Sequence, residues 1–283
     1  MYRIDRTYVK NLLPARDPYG HKGTFGKVLC ICGSVGYTGA PIFASRAAVR
    51  TGSGLVFLAV PESIWQVAAV KSDEAMPFPL PDRDGKLHGC FAQIKSRADA
   101  CDAVLYGCGL GRSDALDEMV RDVLTLRQPL VLDADGINAL SAHMDVLQRR
   151  GGITVLTPHE GEFLRVGGDL SRGRIDGAAD FAVKYGVYLV LKGHETLVAA
   201  PDGRLAVNTT GNSGMAKGGS GDVLAGMIVS LLGQRMDAFD ACCAAVYLHG
   251  RAGDLAAADK GERGMTPTDL LENIPYALKE TES

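Results

Sequence analysis

Short apolar runs rich in β-branched residues alternate along most of the chain with segments of helical periodicity. A helix is predicted over about Ala40–Thr51, after the first of these runs. The runs predicted to form strands are Lys27–Cys32, Leu55–Val60, Ala103–Tyr106, Leu130–Asp133, Ile153–Leu156 and Val187–Leu191. Since strands that are apolar on both faces and separated by helices form parallel sheets covered on both sides, we predict an α/β fold with a central, mostly parallel sheet.

The pattern changes after the last of these runs. Thr196–Ala200 and Leu205–Asn208 flank the turn Pro201-Asp202-Gly203. That arrangement predicts a hairpin, and therefore antiparallel strands near the C-terminal part of the sheet. From Asp222 the chain has helical periodicity to about Ala258, and again near Thr266–Leu271.

Two stretches carry neither a strand nor a helix signal. Lys71–Gly89 contains Pro77, Pro79 and Pro81 together with four acidic residues and is predicted to be a surface loop. Gly167–Gly177 is a polar, glycine-rich connection between two helices. Because periodic segments resume at once on both sides of each stretch, neither is typical of a linker, and we predict a single domain over residues 1–283.

Composition and charge exclude several classes of protein. The net charge is -3, from 30 Lys+Arg against 33 Asp+Glu, without the basic excess of a dedicated nucleic-acid-binding protein. No apolar run reaches the roughly 18 residues of a membrane-spanning helix, and the charged N-terminal segment lacks a signal-peptide core. The 7 cysteines include no C-x-x-C pair, so we expect buried, reduced thiols in a cytoplasmic protein.

Two glycine-rich segments each follow a predicted strand. The amides of Gly33–Ala40 precede a helix, so they either bind an anion or form a tight turn without a ligand. Gly107–Gly111 resembles the start of a dinucleotide-binding fingerprint, with Asp133 at a later strand end as the ribose-binding acid. Arg112 stands where that fingerprint needs its third glycine. The same residues therefore serve equally well for close approach of the backbone to another flat ligand.

The strongest signal is Gly218-Gly219-Ser220-Gly221-Asp222, which directly precedes the apolar helical run Val223–Leu232. Consecutive unobstructed amides at a helix N-terminus can stabilise a phosphoryl group during its transfer. Asp222 beside them is placed to accept the proton of a hydroxyl that attacks the phosphate. Its alternative role is to cap the helix. No Walker A motif occurs, which excludes P-loop chemistry.

At Gly218–Asp222 the sequence resembles the ribokinase-like superfamily, whose G-x-G-D motif holds the anion hole and the catalytic base. Within that superfamily the similarity to the ADP/ATP-dependent NAD(P)H-hydrate dehydratases is closer and extends roughly from Lys22 to Leu271. The other motifs that carry it follow in the family's order: Lys22–Lys27, Gly33-Ser34, Tyr37–Ala40, Thr51–Val56, Asp133–Gly136, Thr157–Glu162 and Lys192–Thr196.

The resemblance implies a ribokinase-like fold and a repair activity. NADH or NADPH hydrated across the nicotinamide ring (the S epimer) would lose water at the expense of ADP or ATP, with ADP expected. The implied catalytic residues are Asp222 and the amides of Gly219, Ser220 and Gly221. The residues implied to bind the hydrated substrate are Ala40, Gly109, Gly111, His159 and Asp222. Those implied to bind the AMP part of the nucleotide are Lys192, Gly193, His194, Glu195, Thr196 and Gly221. Mg²⁺ would bridge nucleotide oxygens.

Several of these residues also have ordinary structural interpretations. His159 could cap the next helix, while Glu160 and Glu162 could order Mg²⁺-bound water or complement a helix dipole. Lys192 could position phosphate or extend from a strand end to solvent. Lys217 departs from the threonine found there in many relatives, and could contact phosphates or face solvent.

The resemblance also implies partners. Family members commonly form homo-oligomers, so we expect one, for example a tetramer. The family's dehydratase is often fused to an N-terminal epimerase that interconverts the two epimers of the hydrate. Since only about 21 residues precede the first motif, we expect the epimerase on a separate chain. Nucleic acid and membrane partners are not expected.

The same residues are also compatible with three other functions. A ribokinase-like kinase of a vitamin precursor, of hydroxyethylthiazole or pyridoxal type, would share Asp222 and the anion hole but release a stable phosphate ester. A Rossmann dehydrogenase would use Gly107–Gly111 and Asp133 and leave Gly218–Asp222 without a role. A non-catalytic nucleotide sensor would tolerate Asp222→Asn.

Overall fold

Ten strands of the chain join in one mixed sheet. The computed structural model describes residues 1–283. The strands are β1 (Tyr2–Ile4), β2 (Lys27–Ile31), β3 (Leu55–Pro61), β4 (Met76–Leu80), β5 (Asp82–Arg83), β6 (Lys86–Leu87), β7 (Ala103–Tyr106), β8 (Leu130–Leu132), β9 (Thr154–Leu156), β10 (Tyr188–Leu191), β11 (Thr196–Ala199) and β12 (Leu205–Asn208). The sheet order is β1-β12-β11-β10-β9-β8-β7-β2-β3-β4, and β5 pairs with β6 alone.

Only β10–β11 and β11–β12 pair antiparallel within the large sheet. Its other pairings are parallel. The predicted mostly parallel sheet with an antiparallel hairpin is therefore confirmed. Each of the predicted strands is present, and their ends differ from the predicted ones by at most one residue.

Helices cover both faces of this sheet. They are α1 (Arg6–Leu12), α2 (Gly39–Arg50), α3 (Glu62–Lys71), α4 (Phe91–Ala98), α5 (Asp114–Val123), α6 (Asp135–Leu140), α7 (Met144–Gln148), α8 (Glu160–Arg165), α9 (Arg174–Tyr185), α10 (Ser220–Gly233), α11 (Ala238–Lys260) and α12 (Pro267–Glu282). Successive side chains of β2 alternate between two cores: Val28 and Cys30 join a cluster of 47 buried residues, and Leu29 joins one of 35. The first cluster contains residues of α2, α10, α11 and α12, and the second contains residues of α4, α5 and α9.

The prediction of a surface loop over Lys71–Gly89 is wrong. Met76–Leu80 forms β4, an edge strand parallel to β3, and residues 82–87 form the small hairpin β5–β6. Proline is tolerated in β4 because an edge strand bonds to a neighbour on one side only. Pro77 and Pro79 alternate with residues that keep their N–H groups, so the ladder with β3 can form.

The helical run predicted from Asp222 to about Ala258 is two helices. Arg235 has a positive φ of 67°, which ends the helical backbone, and the side chain of Asp237 accepts hydrogen bonds from Phe239 N and Asp240 N to begin α11. The helix predicted near Thr266–Leu271 extends to Glu282. No helix in the structure is both long and apolar enough to cross a bilayer.

Candidate active site

The residues that the sequence singles out come together at the carboxyl edge of the parallel strands. Gly107–Gly111 follows β7, Asp133 follows β8, His159 lies just beyond β9, and Lys192 directly follows β10. The N-terminus of α10 approaches the same place, because the ammonium of Lys192 lies 3.4 Å from where a Cβ on Gly221 would stand. The carboxyl edge of an open α/β sheet is where such folds bind their ligands.

An ion pair between a buried carboxylate and a partly exposed ammonium lies in the site. Lys192 Nζ lies 2.9 Å from Asp133 Oδ1, which also accepts a hydrogen bond from Thr157 Oγ1 at 2.6 Å. Asp133 is only 2% exposed. Burial opposes its ionisation, but the charge of Lys192 and the hydrogen bonds outweigh burial and hold the pKa of Asp133 below its usual range. Asp133 is therefore a paired carboxylate inside the protein, which removes it as a ribose ligand of a Rossmann dehydrogenase.

Asp222 lies in the first turn of α10 without capping it. Helix α10 begins at Ser220 after Gly219, and no side chain hydrogen-bonds to its first amides. Burial, with the nearby charge of Asp133 adding to it, raises the pKa of Asp222 to about 7. A carboxyl group whose pKa lies near neutrality is matched to the task of a general base. The capping interpretation of Asp222 has no hydrogen bond to support it.

The amides before and within the first turn of α10 form an open cradle. The N–H groups of Gly218, Gly219, Gly221 and Asp222 have no hydrogen-bond partner in the protein, and a Cβ on Gly218 would meet nothing within 4 Å. Free amides at a helix N-terminus are the usual features of an anion site. With Lys192 beside Gly221, this end of α10 can receive a phosphoryl group.

His249 of α11 is a supporting residue that sequence reasoning missed. Its Nε2 lies 2.9 Å from the carbonyl oxygen of Ser220. Burial lowers the pKa of His249 to about 4, so the ring is neutral and holds the start of α10 as a hydrogen-bond donor. A lone histidine in an apolar helix gives no signal in the sequence that would distinguish it from other core residues.

The turn after β7 packs against the start of α2. A Cβ on Gly109 would lie 2.8 Å from the Cβ of Ala40, and Ser34 Oγ donates to the carbonyl of Gly109 at 2.8 Å. Gly111 N donates to Asp135 Oδ2 at 2.8 Å. The structure thus brings together Ala40, Gly109 and Gly111, three of the five residues predicted to bind the substrate. These glycines permit close packing of this turn against the start of α2; close approach of their backbone to a flat ligand stays a prediction.

His159 has the capping geometry left open by the sequence. It precedes α8, its Nδ1 accepts a hydrogen bond from Glu162 N at 3.3 Å, and Glu162 Oε2 accepts one from His159 N at 2.9 Å. The imidazole is nonetheless 54% exposed, and the backbone of His159 bridges to that of Lys192. Glu162 is buried and lies 3.8 Å from Lys192 Nζ, whereas Glu160 pairs with Arg174.

Arg174, at the start of α9, holds the segment predicted to bind nucleotide. Its guanidinium donates to the carbonyls of Glu195 at 3.1 Å and of Leu191 and Lys192 at 3.3 Å. Thr196 Oγ1 closes the turn by donating to the carbonyl of Gly193. Gly193, His194 and Glu195 therefore lie on a braced loop beside Lys192. Nothing in the sequence marks Arg174, because its role depends on a loop distant in the chain.

Lys217 belongs to the scaffold of the site. Its ammonium donates to the carbonyl of Glu262 at 3.2 Å, to that of Arg263 at 3.0 Å and to that of Met265. These carbonyls lie in the turn between α11 and α12. Lys217 thus ties that turn to the glycine-rich segment, an arrangement that neither sequence interpretation of Lys217 foresaw.

Replacing Gly219 by alanine should damage the anion cradle, while the same change at Gly218 should not. Gly219 has a φ of 108°, and a Cβ there would lie 2.8 Å from the ring of Phe43. We expect Gly219→Ala to cost about 1–3 kcal/mol of unfolding free energy and most of the nucleotide affinity. Chemical denaturation and ADP titration measure both. Equal stability and affinity in Gly218→Ala and Gly219→Ala would contradict this assignment of the cradle.

The sequence is similar to those of known proteins from one family. The sequence profile of the NAD(P)H-hydrate dehydratase family matches residues 28–276. A bifunctional NAD(P)H-hydrate repair enzyme from Moorella thermoacetica is 41% identical over 99% of this chain and 54% of that protein. The ADP-dependent (S)-NAD(P)H-hydrate dehydratase of Bacillus subtilis is 33% identical over 97% of both chains.

Solved structures agree with the sequence comparisons. The ADP/ATP-dependent NAD(P)H-hydrate dehydratase of Bacillus subtilis, co-crystallised with ATP/Mg²⁺, matches with a TM-score of 0.84 and 32% identity over 99% of both chains. A ribokinase-like superfamily protein from Enterococcus faecalis matches with a TM-score of 0.85 and 25% identity over 100% of this chain and 97% of that one. The fold is therefore ribokinase-like, as predicted.

The chain spans about half the length of the bifunctional relatives that it matches. Within that half, the family profile covers the strands, the turns and the helix N-terminus that build the site. The match to the Bacillus subtilis dehydratase runs over nearly the full length of both chains. This chain belongs to the NAD(P)H-hydrate dehydratase family.

Proposed function

We propose that this protein dehydrates the S epimers of hydrated NADH and NADPH, with ADP as phosphoryl donor and AMP and phosphate as co-products. The observation that carries the proposal is the position of Asp222: a carboxyl group with a pKa of about 7 stands beside open amides of a helix N-terminus. The proposed substrate and phosphoryl donor are those of the similar ADP-dependent (S)-NAD(P)H-hydrate dehydratase of Bacillus subtilis. A kinase of a vitamin precursor is not favoured by these relatives.

The chemistry follows from two features of this site. Asp222 accepts the proton of the ring hydroxyl as its oxygen attacks the terminal phosphorus of ADP, and the bond from that phosphorus to AMP breaks. The amides of Gly219 and Gly221 lie open at the helix end where charge develops on the phosphoryl oxygens, whereas the amide of Ser220, also predicted to take part, already donates to the carbonyl of Lys217 at 3.2 Å. The phosphate ester then loses a proton from the neighbouring ring carbon, and phosphate departs with the electron pair. The ring double bond returns, because phosphate is a better leaving group than hydroxide.

Lys192 and its loop would hold the nucleotide. The ammonium lies beside Gly221 and the loop is braced by Arg174, so the AMP part would rest on residues 192–196 and Gly221. The hydrated nicotinamide would lie against Ala40, Gly109, Gly111 and His159.

The carboxylates of the site fit an Mg²⁺ ion carried by the nucleotide. Asp133 is paired with Lys192 and Glu160 with Arg174, so they form no protein cage for a cation. Mg²⁺ keeps several waters and binds through phosphate oxygens with few carboxylates. Glu162 is also paired, since it lies 3.8 Å from Lys192 Nζ and accepts a hydrogen bond from His159 N. The ion would therefore be held mainly by the phosphate oxygens, whose charge it would neutralise.

The decisive experiment mixes the purified protein with chemically prepared NADH hydrate, Mg²⁺ and either ADP or ATP. We expect reduced-nicotinamide absorbance to return in step with phosphate release, and faster with ADP. A folded protein that restores no absorbance with either nucleotide would contradict the proposal. Formation of a stable phosphate ester from a small alcohol would then favour the vitamin-precursor kinase.

The activity should depend on pH through Asp222. The ionised carboxylate is the active form, so kcat/KM should rise tenfold per pH unit at low pH and level off above about pH 7, where burial places the pKa of this group. Initial rates measured over a pH series test this, with circular dichroism at each pH to show that the protein remains folded. A profile that stays flat between pH 5 and 8 would contradict a base with this pKa.

We infer that the protein works as a homo-oligomer in the cytoplasm and acts together with an NAD(P)H-hydrate epimerase. The bifunctional relatives join a repair partner in one protein, which supports the need for a second activity. Sedimentation measures the oligomer. Consumption of both epimers faster than they interconvert spontaneously would show that this protein needs no epimerase.

A further inference from the structure

The small hairpin β5–β6 packs against the loop that precedes α2. Its strands are joined by Asp84 and Gly85, whose φ angles of 53° and 73° are both positive, as a type I′ turn requires. The carbonyl of Gly85 accepts a hydrogen bond from Val35 N at 3.0 Å, and Leu87 is only 1% exposed. The tight turn and these two attachments fix the hairpin in place.

Lys86 of this hairpin lies against the glycine turn that follows β7. A Cβ on Gly111 would stand 3.2 Å from Lys86 Cε, and the ammonium donates to the carbonyl of Arg112 at 3.0 Å. That bond uses one of the three N–H donors of the ammonium. Lys86 forms no ion pair with any carboxylate. Its charge therefore stands beside a turn predicted to bind the substrate, without an anionic partner.

A second cation stands opposite Lys86. Arg83 and Lys86 are direct partners in the register of β5 and β6, so their side chains extend from the same face of the hairpin. Like charges in directly opposite positions destabilise a strand pair. Asp82 does not neutralise them, because its carboxylate accepts hydrogen bonds from Ser63 N at 2.8 Å and Ser63 Oγ at 2.7 Å. An anion bound at this face would offset the repulsion.

On the basis of the proposed function, we propose that Lys86 binds the diphosphate of the hydrated dinucleotide, with Arg83 adding a second positive charge. Cys108 Sγ lies within 4.8 Å of a carboxylate oxygen of Asp222, and the three residues from Cys108 to Gly111 span at most about 11 Å. A substrate whose hydrated ring lies at Asp222 has its diphosphate one ribose further on, within reach of the cation beside Gly111. An ammonium group binds phosphate oxygens through charge-assisted hydrogen bonds.

Steady-state kinetics of Lys86→Met test this inference. Methionine keeps an apolar stem against Gly111 but removes the charge, so KM for both hydrates should rise about tenfold to a hundredfold, the effect of one charge-assisted hydrogen bond. The contact is the same before and during the reaction, so kcat should not change. KM for ADP, whose proposed site is at Lys192, should not change either.

Two further variants serve as controls. Lys86→Arg keeps the positive charge and should recover most of the loss in KM. Lys95→Met removes a lysine of an exposed ion pair on α4 and should leave kcat and KM as in wild type. Unchanged KM for both hydrates in Lys86→Met would overturn the inference. A rise for hydrated NADPH alone would also overturn it, because the 2′-phosphate would then be the group at Lys86.

Binding of NADH, the repaired product, tests Lys86 without catalysis. NADH carries the same diphosphate, so its affinity measured by calorimetry should fall about tenfold or more in Lys86→Met. The difference should shrink at high salt, which screens partly exposed charges. Weaker binding in the variant supports the role of Lys86 even where wild type restores no absorbance from NADH hydrate, a result that contradicts the proposed function alone. Equal NADH affinities, or no NADH binding to either protein, overturn the inference.

Discussion

Asp222→Asn is expected to reduce kcat/KM for dehydration by about 10²–10⁴-fold, the contribution of a general base. Asparagine has nearly the same shape but cannot accept the proton of the ring hydroxyl. The amides of Gly218–Gly221 and the ammonium of Lys192 remain in place, so ADP should bind at least as tightly once a negative charge beside its phosphates is removed. Return of reduced-nicotinamide absorbance measures the rate, and calorimetry measures ADP affinity.

Asp240→Asn is the matched control, because Asp240 also lies in the first turn of a helix, α11. An acid that only complements a helix dipole contributes about 0.3–1 kcal/mol to stability. Asp240→Asn should therefore keep full activity. An Asp222→Asn variant that retains more than a tenth of wild-type kcat/KM would show that Asp222 is such a dipole complement, and would favour a nucleotide sensor.

Lys192→Met is expected to lower the unfolding free energy by about 3 kcal/mol, because removing one partner of a buried ion pair leaves an uncompensated charge. Asp133 would be that charge, since it is 2% exposed and its hydrogen bond from Lys192 would be lost. The variant should also lose at least about 10²-fold in kcat, the usual cost of a group that stabilises developing charge. Urea unfolding and steady-state kinetics measure the two losses.

The stability loss in Lys192→Met should shrink as pH falls. In wild type the pair holds the pKa of Asp133 below its unfolded value, so its stabilisation is present at neutral pH and is lost only at strongly acidic pH. Without Lys192, burial raises the pKa of Asp133, and protonation then relieves the buried charge on mild acidification. The double variant Lys192→Met with Asp133→Asn should regain stability but not activity. If the loss of unfolding free energy in Lys192→Met does not change between pH 7 and pH 5, that result would contradict the pairing of Asp133 with Lys192.

Local patterns in the sequence were sufficient to predict most of the strands and helices. The strand of 103–106 and the hairpin of 196–208 were predictable because a short apolar run, or two runs around Pro201-Asp202-Gly203, carries its own signal. The open amides and Asp222 were predictable because four small residues before an apolar helix form one continuous motif. In each case the physical cause lies within a few neighbouring residues.

Strand pairing across the chain was not predictable in the same way. Tyr2–Ile4 is a three-residue strand that pairs with β12, more than two hundred residues away, and too few residues carry its pattern. Met76–Leu80 contains two prolines that argue against a strand. It becomes one only because β3 offers its free edge, which is a property of the whole sheet.

The sequence by itself determined which residues have the chemical groups for phosphoryl transfer, since Asp222, Lys192 and the glycines before α10 stand in recognisable local patterns. The tertiary structure decided which groups from distant segments meet them: Asp133 pairs with Lys192, Arg174 braces the loop, and Asp133 comes within 4.8 Å of Asp222. The physical reason is that burial and Coulomb interaction depend on distances in space, which the order of residues along the chain does not contain.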